Sequence, residues 1–166
     1  MLYQSSDGFV FTGQVILLDD RPYWIQYEIN CDYSWITVSA WVMLTSGNYK
    51  VRKHIELRPD GSWWAEGKEI PELQGCLDVD LGFSPVTNTL PIRRLQLKDG
   101  ESREIVASWI RFPDLEIKQL RQAYTNLGGG RYLYRSVLSG FTAEITVDDL
   151  GLVKSYASGW LREAVI

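Results

Sequence analysis

An apolar–polar alternation of period two, broken at short intervals by glycine-bearing turn signals, limits this chain more than any other feature. Over residues 22–30, Tyr23, Ile25, Tyr27 and Ile29 fall on one face, and Trp24, Gln26, Glu28 and Asn30 on the other. Residues 34–44 set Ile36, Val38, Ala40, Val42 and Leu44 against Trp35, Thr37, Ser39, Trp41 and Met43. Successive side chains of a strand point to opposite faces, so segments like these bury one face against a core only as part of a sheet. The second face of 34–44 is neither fully apolar nor charged, as expected of a sheet that lines a semi-polar groove. Asp60-Gly61 and Ser139-Gly140 are two-residue hairpin signals, because glycine accepts the positive φ of such turns. Asp148–Gly151 turns the chain into Leu152–Tyr156, and Lys98-Asp99-Gly100 leads into the alternating segment Glu104–Phe112. The expectation is a mainly β chain of consecutive hairpins, with its 166 residues forming one domain over 1–166.

Two segments depart from that pattern. Thr89–Leu95 has a capping Thr, a Pro near the first turn and apolar Ile92 and Leu95, which predicts a short helix. In Asp114–Leu127, Ile117, Leu120, Tyr124 and Leu127 stand at helical spacing, with Asp114 as a cap and Gly128 as a stop. The alternative for that segment is a strand with Leu115 and Ile117 facing inward.

Several function classes are excluded early. The formal net charge is −4, and no cationic run exceeds Arg93-Arg94, so the basic face that a nucleic-acid binder or an anionic membrane surface requires is missing. No apolar run approaches the ~18 residues that span a bilayer. Residues 1–11 lack a basic n-region followed by an apolar h-region, so a cytoplasmic protein is expected. Cys31 and Cys76 read as two buried reduced thiols, with a disulfide as the alternative. A single histidine, His54, and scattered cysteines make no tetrahedral set, so neither metal nor cofactor is expected. Seven Trp and nine Tyr are a heavy ring load, which favours strands and concave binding faces.

Residues 75–95 read GCLDVDLGFSPVTNTLPIRRL. The ordered set Asp80-Leu81-Gly82, Ser84-Pro85, Asn88 and Leu90-Pro91 resembles a bacterial glycolipid-binding family first catalogued as a domain of unknown function. Tyr27–Asp32 followed by Trp35, then Trp109–Pro113 and Phe141–Gly151, extend the likeness over nearly the whole chain. The resemblance implies a spiral β-roll, a partly closed many-stranded antiparallel sheet wrapped around one short helix at about 88–95. It makes 114–124 a strand and the protein a homodimer. It also implies an acidic pocket for a small amphiphilic ligand, a glycolipid or polar lipid, with its tail on the apolar sheet and its hydroxyls on carboxylates. Ile36-Thr37-Val38, after Trp35, depart from more basic relatives, which bears on the charge of the ligand.

The candidate ligand-binding residues are Asp78, Asp80, Asn88, Arg93, Arg94, Asp32 and Trp35. Asp78 and Asp80 are two apart, so on an extended segment both carboxylates share a face, roughly 6–7 Å apart. They would accept hydrogen bonds from adjacent sugar hydroxyls; alternatively, one caps a turn and the other pairs with Arg93 or Arg94. Asn88 would either cap the helix or bond a hydroxyl through its amide. Arg93 and Arg94 would lock the helix to an aspartate or meet an anionic head group. Trp35, with Trp24 and Trp41, would stack on sugar rings or fill a core. Asp32, Glu28 or Glu144 would be the second carboxylate of a rival hydrolase acting on a sugar or lipid ester, but two acids on one strand face do not bracket a scissile bond. The leading expectation is a non-enzymatic glycolipid binder or carrier, with no catalytic residue. The remaining rival is a purely structural dimeric module.

Overall fold

A computed structural model describes residues 1–157 and 159–163. The chain is mainly β with one short α-helix, and it divides after Gly75 into two compact units, each built on a seven-stranded sheet.

The first unit is a meander of antiparallel neighbours: β1 (Leu2–Gln4), β2 (Phe9–Leu18), β3 (Pro22–Cys31), β4 (Thr37–Ser46), β5 (Tyr49–Leu57), β6 (Trp63–Ala65) and β7 (Lys68–Glu69). Tyr23, Ile25, Tyr27 and Ile29 of β3 are all buried, as the alternation requires, and so are Phe11, Ile55, Trp63 and Leu73 of the same unit. Each such side chain removed from water contributes roughly 1.5–3 kcal/mol. β4 breaks the expected pattern. Asn30 pairs with Ser39 and Cys31 with Thr37, so Val38 is an extra residue at a β-bulge. The phase flips there: Thr37 is buried, Val38 is exposed, and the inward set resumes at Ala40, Val42 and Leu44. A hairpin joins β5 and β6 as expected, with Leu57 opposite Trp63, but its loop is Pro59-Asp60-Gly61, one residue longer than the expected turn, closed by Arg58 N donating to Ser62 O at 2.9 Å.

The second unit comprises β8 (Asp78–Leu81), α1 (Thr89–Leu95), β9 (Ser102–Ile110), β10 (Ile117–Gly128), β11 (Arg131–Ser136), β12 (Thr142–Val147), β13 (Val153–Tyr156) and β14 (Trp160–Leu161). The strands lie side by side in chain order. Hairpins join β9 through β14, but β8 runs parallel to β9, with Asp80 opposite Trp109. That parallel pair corrects the expectation of hairpins throughout. Parallel neighbours need a crossover connection, and the 3-10 turn Pro85–Asn88 followed by α1 supplies it. The single helix therefore lies in the connection that this pair requires.

Residues 117–128 form a strand, against the local helical spacing; the family resemblance implied a strand over 114–124, and residues 114–116 lie instead in the turn before it. β10 has partners on both sides, Ile117–Thr125 with β9 and Gln122–Gly128 with β11, and this pairing outweighs weak local propensity. Asp114 caps no helix. Its carboxylate accepts from Glu116 N at 3.0 Å and is gripped by Arg111, in the turn that feeds β10.

The start of α1 also differs from expectation. Asn88 already has helical backbone angles and makes no cap hydrogen bond. The 3-10 turn extends the helical stretch toward the N-terminus, and the capping oxygen is Ser84 Oγ, which accepts from Val86 N. Ile92 and Leu97 pack against Tyr124, Tyr134, Ala143, Ile145 and Val147, so the helix covers one end of one sheet face. Cys31 and Cys76 are both buried free thiols.

Candidate functional site

Sheet register places a consistent set of side chains on the face that α1 covers in part. Asp80 lies opposite Trp109, which lies opposite Lys118, while Tyr124 lies opposite Tyr134, and Ile145 opposite Tyr156. Beyond the reach of the helix, this face is open as a cleft of about 520 Å³ in the second unit. Asp80, Asn88, Lys118, Gln119 and Ser136 contribute polar groups to its lining, and Leu120, Leu138, Phe141 and Trp160 contribute apolar ones. The volume falls within the ~300–1,000 Å³ range of small-molecule sites, and an apolar lining with a few convergent polar groups is the usual composition of such sites.

The motif 80–91 builds one end of this cleft, and most of its residues are structural. Leu81 and Leu90 are buried. Leu81 N donates to Thr87 Oγ1 at 3.2 Å, which ties the strand to the 3-10 turn. Gly82 lies against the Trp109 indole: a Cβ there would sit 2.7 Å from Trp109 Nε1 and 3.3 Å from the Ile110 carbonyl oxygen. Asn88 Nδ2 donates to Pro85 O at 2.9 Å, and its Oδ1 accepts from the Tyr124 hydroxyl at 2.8 Å. Asn88 is therefore the hinge pin between the turn and β10.

Asp78 and Asp80 share a face of β8, yet their surroundings differ sharply. Asp78 is 1% exposed and is held bidentately by Arg94, with Nε–Oδ1 at 3.1 Å and Nη2–Oδ2 at 2.5 Å. Burial pushes its carboxyl up, and the guanidinium pulls it back down. Asp80 has no such partner. Gln122 Nε2 donates to its Oδ2, and the side chain keeps an accessible edge on the cleft. Desolvation is the main cause that raises its pKa to about 6; the Gln122 hydrogen bond works against the rise, and the negative charge of Asp78 adds to it.

A ring cluster completes the site. Tyr134 lies 6.2 Å from Phe141 and 6.1 Å from Tyr156, while Phe141 and Tyr156 stack at 6.5 Å with 27° between planes. Burial and the Asp80 carboxylate push the Tyr156 hydroxyl up to about 12 and raise Tyr134 as well.

Of the seven candidate residues, the cleft brings together Asp80 and Asn88. Asp78 and Arg94 pair with each other and do not line it. Arg93 borders a separate hollow of about 450 Å³ with Gln96, Tyr132 and Asp148. Asp32 and Trp35 belong to the first unit. Asp32 Oδ1 accepts from Ser34 N and Ile36 N, closing its own turn, and Trp35 stacks on Phe9 at 4.2 Å. The charged lining of the cleft consists of one carboxylate, Asp80, and one ammonium, Lys118.

Sequence reasoning missed Gln122, Tyr134, Phe141 and Tyr156. The hairpin centred on Gly128–Gly130 places Tyr124 opposite Tyr134, and counting outward from those glycines was the available signal. No group of three or more His, Cys, Asp or Glu among the described residues is placed to hold a metal. No helix among them is long and apolar enough to cross a membrane.

Comparison with known proteins places this architecture. A crystal structure of a DUF1089 family protein from Pseudomonas aeruginosa is similar, with a TM-score of 0.87 and 36% identity over 98% of this chain and 90% of that one. No curated protein matches. A family model described as "Putative glycolipid-binding" matches residues 1–162, and the chain belongs to that family.

Proposed function

We propose that this chain binds an amphiphilic, sugar-bearing lipid in the cleft of its second unit and does not transform it chemically. The observation that carries the reading is the mixed lining of the cleft: one half-buried carboxylate, Asp80, among aliphatic and aromatic side chains that include Leu120, Leu138, Phe141 and Trp160. Asp80 offers charge-assisted acceptance to hydroxyls, which is stronger than neutral hydrogen bonding, and Asn88 stands beside it. Leu120, Leu138 and Phe141 offer hydrocarbon contact worth about 25 cal/mol per Å² buried. The family description supports the same ligand class.

An acid–base hydrolase would need a second carboxylate facing Asp80 across the bond to be cut. Among the described residues that line the cleft, Asp80 is the only acid, so binding is the better-supported reading. The homodimer and cytoplasmic location expected from the sequence belong to this reading as well, and sedimentation at micromolar concentration tests the first.

Titration with octyl glucoside below its micelle threshold tests the ligand class, read by native mass spectrometry and by fluorescence, since Trp109 and Trp160 both line the cleft. One equivalent is expected to bind, with glucose and octanol each far weaker. Leu138→Asp, at a position 78% exposed and so cheap for folding, is expected to weaken binding by placing a charge among the apolar lining. Absence of binding, or binding that Leu138→Asp leaves unchanged, would overturn the proposal.

A further inference from the structure

Resting on the glycolipid reading above, we infer that the head group this cleft selects is cationic: an amphiphile whose sugar or polar head carries a protonated amine.

The charge arrangement around Asp80 carries the inference. A carboxylate has about four lone-pair sites, and one of these at Oδ2 is met by Gln122. No Lys or Arg among the described residues pairs with Asp80. The nearby guanidinium of Arg94 is held bidentately by Asp78. The one ammonium of the cleft lining, Lys118, is held by Glu116 at 3.0 Å. Behind Asp80 stands the carboxylate of Asp78, which adds negative potential. Proteins normally pair a charge withdrawn from water or leave it out of the interior. Here Asp80 faces the cleft with no ion-pair partner among the described residues, and Lys118, in the same lining, pairs with Glu116 instead.

The ring cluster points the same way. Tyr134, Phe141 and Tyr156 stand together and line the same cleft as that carboxylate, and an aromatic face attracts a full positive charge more strongly than the C–H groups of a neutral sugar. The hydroxyls of Tyr134 and Tyr156 both respond to the charge of Asp80, so its negative field reaches the rings where a head group would lie. An anionic head would meet the Asp80 carboxylate and would be repelled. A neutral polyol would fill the lone pairs but leave the charge uncompensated. A primary ammonium supplies three donors and one unit of positive charge.

Three probes separate this inference from the glycolipid reading: octyl glucosaminide, octyl glucoside and octyl glucuronide, with octylamine as a sugar-free control. At about pH 7.5 the glucosaminide is expected to bind about 10-fold or more tightly than the glucoside, with the glucuronide weakest. Asp80→Asn keeps the shape and the Gln122 contact and is expected to reduce that preference to about 2-fold or less. In the unaltered protein, lowering the pH to about 5 protonates Asp80 and is expected to shrink the preference as well. The groups that interact with Asp80 in that experiment are Asp78 on β8, Gln122 and Tyr124 on β10, Tyr134 on β11 and Tyr156 on β13, while Arg94 from α1 pairs with Asp78 and Lys118 of β10 lines the same cleft. The Asp78 charge raises the Asp80 carboxyl, and the Asp78 carboxyl is raised as well, so the Asp80→Asn comparison is what assigns the effect to Asp80. Equal or tighter binding of the glucoside refutes the cationic head and leaves glycolipid binding intact. Binding of octylamine with none of the three glycosides refutes the sugar and leaves the cation. Failure of all four probes refutes both.

Discussion

Asp80 is held in a place that opposes its own charge, and this has a measurable consequence for folding. Its pKa rises from 3.8 to about 6 because burial disfavours the carboxylate more than Gln122 favours it. Below about pH 4 the group is protonated in both folded and unfolded chains, so it contributes nothing to pH dependence. Between about pH 4 and pH 6 the folded chain keeps a proton that the unfolded chain releases, and stability therefore falls as pH rises through that window. Above about pH 6 the full cost is present. At about 1.4 kcal/mol per unit, the shift amounts to about 3 kcal/mol. Asp80→Asn is nearly isosteric, and its amide oxygen still accepts from Gln122. The substitution is expected to stabilise the protein by as much as about 3 kcal/mol at pH 8 and by almost nothing at pH 4. Urea unfolding followed by tryptophan fluorescence at several pH values measures the difference as a shift of midpoint at constant slope. If the two proteins are equally stable at pH 8, or differ by the same amount at pH 4 and pH 8, the carboxylate is not desolvated as argued.

Further outcomes follow from the same contacts. Arg94→Ala leaves Asp78 buried without its cation and is expected to cost about 3–5 kcal/mol in urea unfolding near neutral pH; pairing it with Asp78→Asn should recover a large part of that loss. Gly82→Ala forces a methyl against the Trp109 indole and the Ile110 carbonyl, with an expected cost of about 1–3 kcal/mol and a shifted Trp109 emission. Cys76 is 1% exposed, and burial with the Asp78 charge pushes its thiol up to about 11, so iodoacetamide at about pH 8 should leave it unlabelled until the protein is unfolded.

The residue pattern alone determined a good deal. Period-two alternation identified β3, because Tyr23, Ile25, Tyr27 and Ile29 must all leave water together, and no helix brings residues two apart to one side. Asp60-Gly61 and Ser139-Gly140 marked real hairpins, since each turn needs the positive φ of its glycine, but the loop lengths, three and four residues, were set by the strand pairing. The helix at Thr89–Leu95 was legible from its proline and its apolar spacing. The bulge at Val38 was not legible, because one extra residue leaves local composition unchanged and shows only in the pairing of Asn30 and Cys31 across the sheet. The helical spacing of 114–127 misled because propensity amounts to fractions of a kcal/mol per residue, whereas two neighbouring strands supply a ladder on each edge.

The candidate site divides the same way. Its chemistry was visible in the residue types: two aspartates on one face of a short strand, an arginine pair downstream, and a chain rich in rings. Which aspartate meets Arg94 and which meets the cleft depends on where the crossover sets α1 over the sheet. The separation in sequence, Asp78 to Arg94 and Asp80 to Gln122, is bridged only by parallel pairing of β8 with β9. Sequence records which groups can carry charge; only the folded neighbours decide which charge is compensated and which is left open to a ligand.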